Sequence, residues 1–267
     1  MTGETSDLKL IDVNVNLGLW PTRRVAGDES QALADKLRAG GVVEAWAGSF
    51  DGVFHHDLSK ANAQLAKTCG AVTALRLVPF GEINPLAADW EAELARCADD
   101  HRMPGIRLHP NYHGYALDHP HVARLLAAAA ERGLIVSIVA ELEDVRMMHP
   151  LLRVRPVDLS PLVDLARQSP MLKLLLLNAV RNAASAAIIL QPLLQAGNVY
   201  VDIAMLEGLG GVEKLFAAVP QESILFGSYA PSFYFESALL KLQESALPRF
   251  QLEAVTQTSA RRLLPRS

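Results

Sequence analysis

Eight apolar runs, each followed by a stretch of helical spacing, set the strongest limit on what this chain can fold into. They begin near residues 8, 42, 72, 105, 134, 171, 198 and 224, at intervals of about 25 to 37 residues, the length of one strand–helix unit. Eight such units favour closure into a barrel, and 267 residues is close to the usual size of one. The expected architecture is therefore a single α/β domain over 1–267, a (β/α)8 barrel of TIM type with extra helices at its carboxyl end. An open doubly wound sheet would give similar local patterns. No glycine-rich turn of the dinucleotide or P-loop kind follows any run, which argues against it.

The first run, 8–18, alternates strictly after Ile11, placing Asp12, Asn14 and Asn16 on one face and Ile11, Val13, Val15 and Leu17 on the other. A strand buried on both faces carries such a polar row only where it meets partners, a ligand or water. Further strands are expected at 42–47, 72–79, 105–109, 134–140, 171–177, 198–204 and 224–227. Helices are expected at 29–39, 57–69, 85–100, 120–132, 158–168, 183–196 and 212–219, with two more at 233–245 and 249–264. Residues 49–56 and 110–115 read as polar loops. The longest insertion, 141–158, would lie over the carboxyl mouth of the barrel, as a lid, a subunit contact or an ordinary surface loop.

Half of the residues are hydrophobic and 20% are charged, which fits a globular protein and not a disordered one. The net charge of -4 provides no basic surface for nucleic acid or anionic lipid. No apolar stretch is long enough to span a bilayer and no basic segment precedes an apolar run, so a soluble protein is expected. Cys69 and Cys97 lie 28 positions apart with no second thiol near either, which suits a reducing cytoplasm and gives no support to a zinc knuckle or a redox pair. In the last helices, Leu239, Leu240 and Leu242 near Phe233, Tyr234 and Phe235 leave self-association as an alternative to ordinary core packing.

Ile11-Asp12-x-Asn14-x-Asn16-x-Gly18 resembles the Ile-Asp-x-His-x-His-x-Gly pattern of the metal-dependent amidohydrolase superfamily, with asparagine in place of both histidines. Gly-Ile-Arg-Leu-His-Pro at 105–110, followed by Tyr112 and Gly114, resembles the Gly-x-Lys-x-His-Pro segment of the branch that includes decarboxylases and lactone hydrolases. Ile-Leu-Phe-Gly-Ser at 224–228 with Pro231 resembles its Phe-Gly-Ser-Asp-x-Pro motif, and 259–264 its closing Asn-Ala-x-Arg-Leu-Leu. The resemblance implies a barrel enzyme holding one or two divalent metals through His-x-His on strand one, histidines after strands five and six, and an aspartate after strand eight. This chain offers Asn14, Asn16, no histidine after strand five, Asn178, and Tyr229 for the aspartate. Amide oxygens are weak neutral donors, so neither a metal of the family type nor another cofactor is expected.

Projecting the inward faces gathers Asn14, Asn16, Arg107, His109, Glu141, Asn178 and Tyr229 at one end of the barrel, with Asp202 deeper. Such a set, with both charge signs, suits a small-molecule site. It equally suits a buried network whose members satisfy one another. His109 is the acid/base candidate, against a structural histidine bonded to loop backbone. Arg107 could fork onto a carboxylate or phosphate, or pair with Glu141 or Asp202. Glu141 could activate water, or bridge to Arg107. Tyr229 is expected to fill the former metal volume and to hydrogen-bond Asn14, Asn16 or Asn178. Two functions follow. One is a hydrolase, or a lyase such as a decarboxylase, acting on a small anionic molecule without the usual metal. The other is a non-catalytic barrel that keeps the pocket for a metabolite or partner.

Overall fold

Aliphatic and β-branched runs become strands, and the punctuation between them sets the helices. The computed structural model describes residues 8–22 and 24–264. It opens with β1 (Leu10–Leu17), α1 (Ser30–Ala39), β2 (Val42–Ser49), α2 (Phe50–Phe54), α3 (Leu58–Ala71) and β3 (Arg76–Glu82). Next come α4 (Trp90–Ala95), prolonged by a π-helical turn through Asp100, then β4 (Gly105–Leu108), α5 (Pro110–His113), α6 (Pro120–Glu131) and β5 (Ile135–Val139). After the long segment 141–157 follow α7 (Leu162–Gln168), β6 (Lys173–Leu177), α8 (Ala183–Ala196), β7 (Asn198–Asp202), α9 (Gly211–Ala218) and β8 (Ile224–Leu225). The chain ends with α10 (Phe235–Gln243), α11 (Arg249–Glu253) and α12 (Ser259–Leu263).

All eight strands are parallel and neighbour one another in chain order. Only two residues of β8 pair with β7, yet the chain beyond it joins β1. Val13 N–H donates to the Phe226 carbonyl, Tyr229 N–H to that of Asn14, and Asn16 N–H to that of Ala230. These bonds all but close the (β/α)8 barrel. Inside it pack Ile11, Val13, Trp46, Phe80, Leu175 and Leu225, with Trp46 stacked on Phe80 at 5.1 Å. The outer faces, such as Ile106, Leu108, Val136 and Leu174, pack with the helices. Helix α6 shows how: Pro120 stands in its first turn, and Val122, Leu125, Leu126 and Ala129 form one buried stripe. Among the described residues no helix is long and apolar enough to cross a membrane.

Besides two helices that begin later than expected, at Trp90 and Leu162, four expectations need correction. The strict alternation of β1 breaks at a register shift between Asp12 and Val15, so Ile11 and Val13 pack inside the barrel while Val15 and Leu17 pack against the outer layer. The third strand starts four residues late and ends at Glu82. Val72 caps α3 through a bond to the Thr68 carbonyl, while Phe80, Gly81 and Glu82 pair with β4. Residues 50–54 form a helix where a loop was expected, because Ser49 accepts the Asp51 N–H at 3.1 Å. Pro110 likewise starts the short α5 within the expected loop 110–115.

Candidate functional site

The carboxyl ends of the strands bring the polar residues into three connected groups. In the first, Asn14 of β1 donates through Nδ2 to Asn178 Oδ1 at 2.8 Å and to Asp202 Oδ2 at 2.6 Å. Asn178 stands just past β6 in the left-handed region (φ 57°), which asparagine tolerates. Its N–H reaches Asp202 Oδ1 at 2.9 Å, and its Nδ2 donates to the Glu141 carbonyl at 2.8 Å. A side chain at 227 would push into this group, since a Cβ there would lie 2.6 Å from Asp202 Oδ2; hence Gly227. Behind it, Asp12 Oδ1 accepts the N–H groups of Ser228 (3.0 Å) and Asn14 (3.1 Å). Burial pushes the Asp12 carboxyl up to about 7 and that of Asp202 up to about 6.

The second group is built on Arg107, fully buried within β4. Its Nη1 donates to Asn16 Oδ1 at 2.9 Å and to the Val15 carbonyl at 3.1 Å, and its Nη2 to the Trp46 carbonyl at 3.4 Å. Burial lowers its pKa, and the negative charge of Glu82 opposes that shift. Nε has no partner among the described residues. Gly48 leaves room for the guanidinium, which a Cβ at that position would overlap.

The third group is His109 with Glu82. His109 Nδ1 lies 2.8 Å from Glu82 Oε2, with both side chains completely enclosed. The contact is at ion-pair distance without hydrogen-bond alignment, and Nε2 has no partner among the described residues. The backbone of α2 roofs Glu82, where a Cβ on Gly52 would collide with its Cγ. Sequence reasoning missed Glu82 because the third strand seemed to end at Pro79. Continuing its alternation through Val78, Phe80 and Glu82 would have found it.

Two expected members stand elsewhere. Glu141 does not meet Arg107; it forks onto Arg181, with Oε2 at 2.5 Å from Nη2 and 3.2 Å from Nε. Nor does Arg107 pair with Asp202. Tyr229 is buried and packs edge-on against Phe233 at 5.4 Å, but its hydroxyl donates to the Leu142 carbonyl instead of meeting the asparagines. The reason is the strap 141–157, which sequence periodicity could not trace. It crosses the mouth and brings Leu142 onto the Tyr229 ring's side of the core.

The strap leaves little space beneath it. A void bounded by His109, Tyr112, Val139, Leu142 and Arg155 measures about 10 Å³, room for a single water. Asn111 Nδ2 donates to the Arg155 carbonyl at 2.6 Å, and Val157 N–H to that of Ala140 at 2.9 Å. Asp144 is held by Arg146 (2.6 Å) and Arg181 (3.5 Å), and Arg146 also reaches Glu207 at 3.0 Å. Among the described residues no group of three or more His, Cys, Asp or Glu side chains is placed to hold a metal ion. The residues at the expected ligand positions do not fit one. Asn14 turns its amide N–H bonds toward Asp202 and Asn178, Arg107 covers the Asn16 oxygen, and Tyr229 points its hydroxyl at Leu142.

Known structures share this architecture. The 5-carboxyvanillate decarboxylase of Sphingomonas paucimobilis is 15% identical, over 96% of this chain and 99% of that one, with a TM-score of 0.72. The 2,6-dihydroxybenzoate decarboxylase of Rhizobium is 13% identical over 94% and 98%, with a TM-score of 0.69. The 5-carboxyvanillate decarboxylase of Novosphingobium aromaticivorans, solved with bound manganese, is 15% identical over 98% of both chains, with a TM-score of 0.70. At such identities the likeness speaks for the fold. No curated protein matches the chain in sequence. The amidohydrolase family profile matches residues 19–266, starting just beyond the strand that carries Asn14 and Asn16. By that match over nearly its whole length, the chain belongs to the amidohydrolase family.

Proposed function

We propose that the protein is a hydrolase or lyase acting on a small anionic molecule at the mouth of the barrel, and that it works without a resident divalent metal. The observation that carries this reading is the enclosed Glu82–His109 pair. A carboxylate facing Nδ1 favours the proton on that nitrogen and leaves Nε2 to exchange protons with a substrate. As imidazolium, His109 would pass its Nε2 proton to a carbon, which then loses its carboxylate as carbon dioxide; as neutral imidazole, its Nε2 would take the proton of an attacking water. Arg107, whose Nε lacks a partner among the described residues, supplies the positive charge an anion needs. The absence of a fitting donor set around Asn14, Asn16 and Tyr229 supports the metal-free part. Substrate entry requires the strap to lift, since the present void holds no more than water.

The same filled mouth favours a second reading, a non-catalytic barrel whose polar groups serve binding or stability alone. Chelator-treated protein assayed against a panel of aromatic and aliphatic carboxylates, with carbon dioxide release and hydrolysis both followed, separates the two. Turnover that disappears in His109→Gln and falls by about 10²-fold in Glu82→Gln supports the enzyme. Saturable binding without turnover supports the second reading. Turnover seen only after manganese or zinc is added rejects the metal-free part, and neither turnover nor binding rejects both readings.

A further inference from the structure

A second cavity lies outside the barrel, behind the root of the strap. It measures about 420 Å³ and is bounded by the end of β5, residues 156–160, α7 and α8, a size suited to a small molecule. Val157, Leu159, Val163, Ile189 and Leu193 make its walls apolar. Ile188 and Ile189 are 79% and 41% exposed at its edge, an unusual degree for adjacent isoleucines on one helix.

The polar groups of this cavity are almost all acceptors. Glu141 and Asp158 contribute carboxylates and Ser160 a hydroxyl, while no lysine or arginine lines it. Pro192 adds another acceptor: it has no N–H to give to the carbonyl of Ile188, which therefore lacks its helical donor on the cavity wall. Arg181 holds Glu141 from outside the cavity, and Asp158 Oδ1 is occupied by the Ser160 N–H at 2.9 Å. An anion here would face the Asp158 carboxylate, while the charge of Glu141 is already balanced by Arg181. A ligand carrying several N–H donors and a positive charge on an apolar body complements every wall.

We propose that this cavity is a binding site for a small apolar amine, its ammonium group set toward Asp158 and the Ile188 carbonyl and its hydrocarbon part against Val163, Ile189 and Leu193. The site is separate from the Glu82–His109 pair, so it stands or falls independently of the reading given above.

The test titrates the full-length protein, by calorimetry and by isoleucine methyl resonances, with three probes of similar size: 2-phenylethylamine, 2-phenylethanol and phenylacetate. The amine is expected to bind at least about tenfold more tightly than the alcohol or the acid, with shifts at Ile188 and Ile189. Asp158→Lys, an exposed change that places a cation at the edge, should abolish amine binding, whereas Asp158→Asn, which keeps an oxygen for the Ser160 N–H, should weaken it at unchanged melting temperature. Val163→Trp, which fills the cavity, should also abolish it where it folds. Equal affinity for the three probes, preference for the acid, no saturation by any, or amine binding unchanged in Asp158→Lys would each overturn the proposal.

Discussion

Asp12→Asn should change how the stability of this protein responds to pH, and in a direction opposite to ordinary acid denaturation. In the folded chain the Asp12 carboxyl is fully buried; Oδ1 accepts two N–H groups and Oδ2 has no partner among the described residues. Burial raises it from its ordinary value of 3.8 to about 7, assisted by the nearby charge of Asp202. Between those two values the folded state binds more protons than the unfolded chain, so stability falls as pH rises from about 4 to about 7 and stays at the lower level above. A displacement of about 3 pH units is worth about 4 kcal/mol. Asparagine keeps a carbonyl oxygen for Ser228 and Asn14 but cannot ionise, so the variant should escape this loss. Urea unfolding of both proteins at pH 4.5, 6 and 8, followed by tryptophan fluorescence, measures it. The stability difference should move toward the variant by several kcal/mol between the lowest and highest pH. Parallel profiles would refute the reasoning, since they would mean that Asp12 is already ionised in the fold and its second oxygen is compensated by a group such as water.

Other perturbations test the seal over the mouth. Tyr229→Ala removes a buried ring packed on Phe233 and should cost about 3 to 5 kcal/mol, whereas Tyr229→Phe, which only leaves the Leu142 carbonyl without its donor, should cost about 1 to 3 kcal/mol; denaturant melts of both distinguish packing from hydrogen bonding. Arg181→Gln should leave global stability within about 1 kcal/mol, because the ion pairs it makes are partly exposed, yet should speed amide exchange across residues 141–157. Unchanged exchange there would show that the strap is held by its other contacts, among them the bonds of Arg155 to Asn111 and of Val157 to Ala140.

Much of this arrangement could be read from the chain because it depends on local pattern. The eight strands and the helix over 183–196 follow from runs with clear ends, such as Asn182, whose side chain caps the helix, and Gly197, which ends it. Asn14, Asn178 and Asp202 meet as strand-end residues of a closed barrel must. What stayed hidden depends on single-residue register or on long-range paths. One extra residue in β1 moves Val15 and Leu17 to the other layer, and alternation alone does not reveal an insertion. Glu82 lay past a proline that seemed to end its strand. The partners of Glu141 and Tyr229 are set by a strap without periodicity, so only the folded chain brings Arg181 and Leu142 to them.

The interior polarity itself argues against a core shaped by stability alone. Arg107, Glu82, Asp12, Asp202 and His109 are all enclosed, and keeping several charges out of water is costly even when they are paired. Apolar residues of similar volume would pack the same barrel at lower cost, as Trp46, Phe80 and Leu175 do one layer away. Moreover the groups do not fully satisfy one another: Asn16 Nδ2, Arg107 Nε, His109 Nε2 and Ser137 Oγ have no partner among the described residues. These four come from β1, β4 and β5 and the turn after β4, and Arg107 and Ser137 pair directly in register. Buried polar groups in that condition are rare in folded proteins unless water or a ligand completes them. Their number inside the barrel, beneath a strap held largely by partly exposed ion pairs, favours the proposed site that opens to a polar molecule over a sealed structural core.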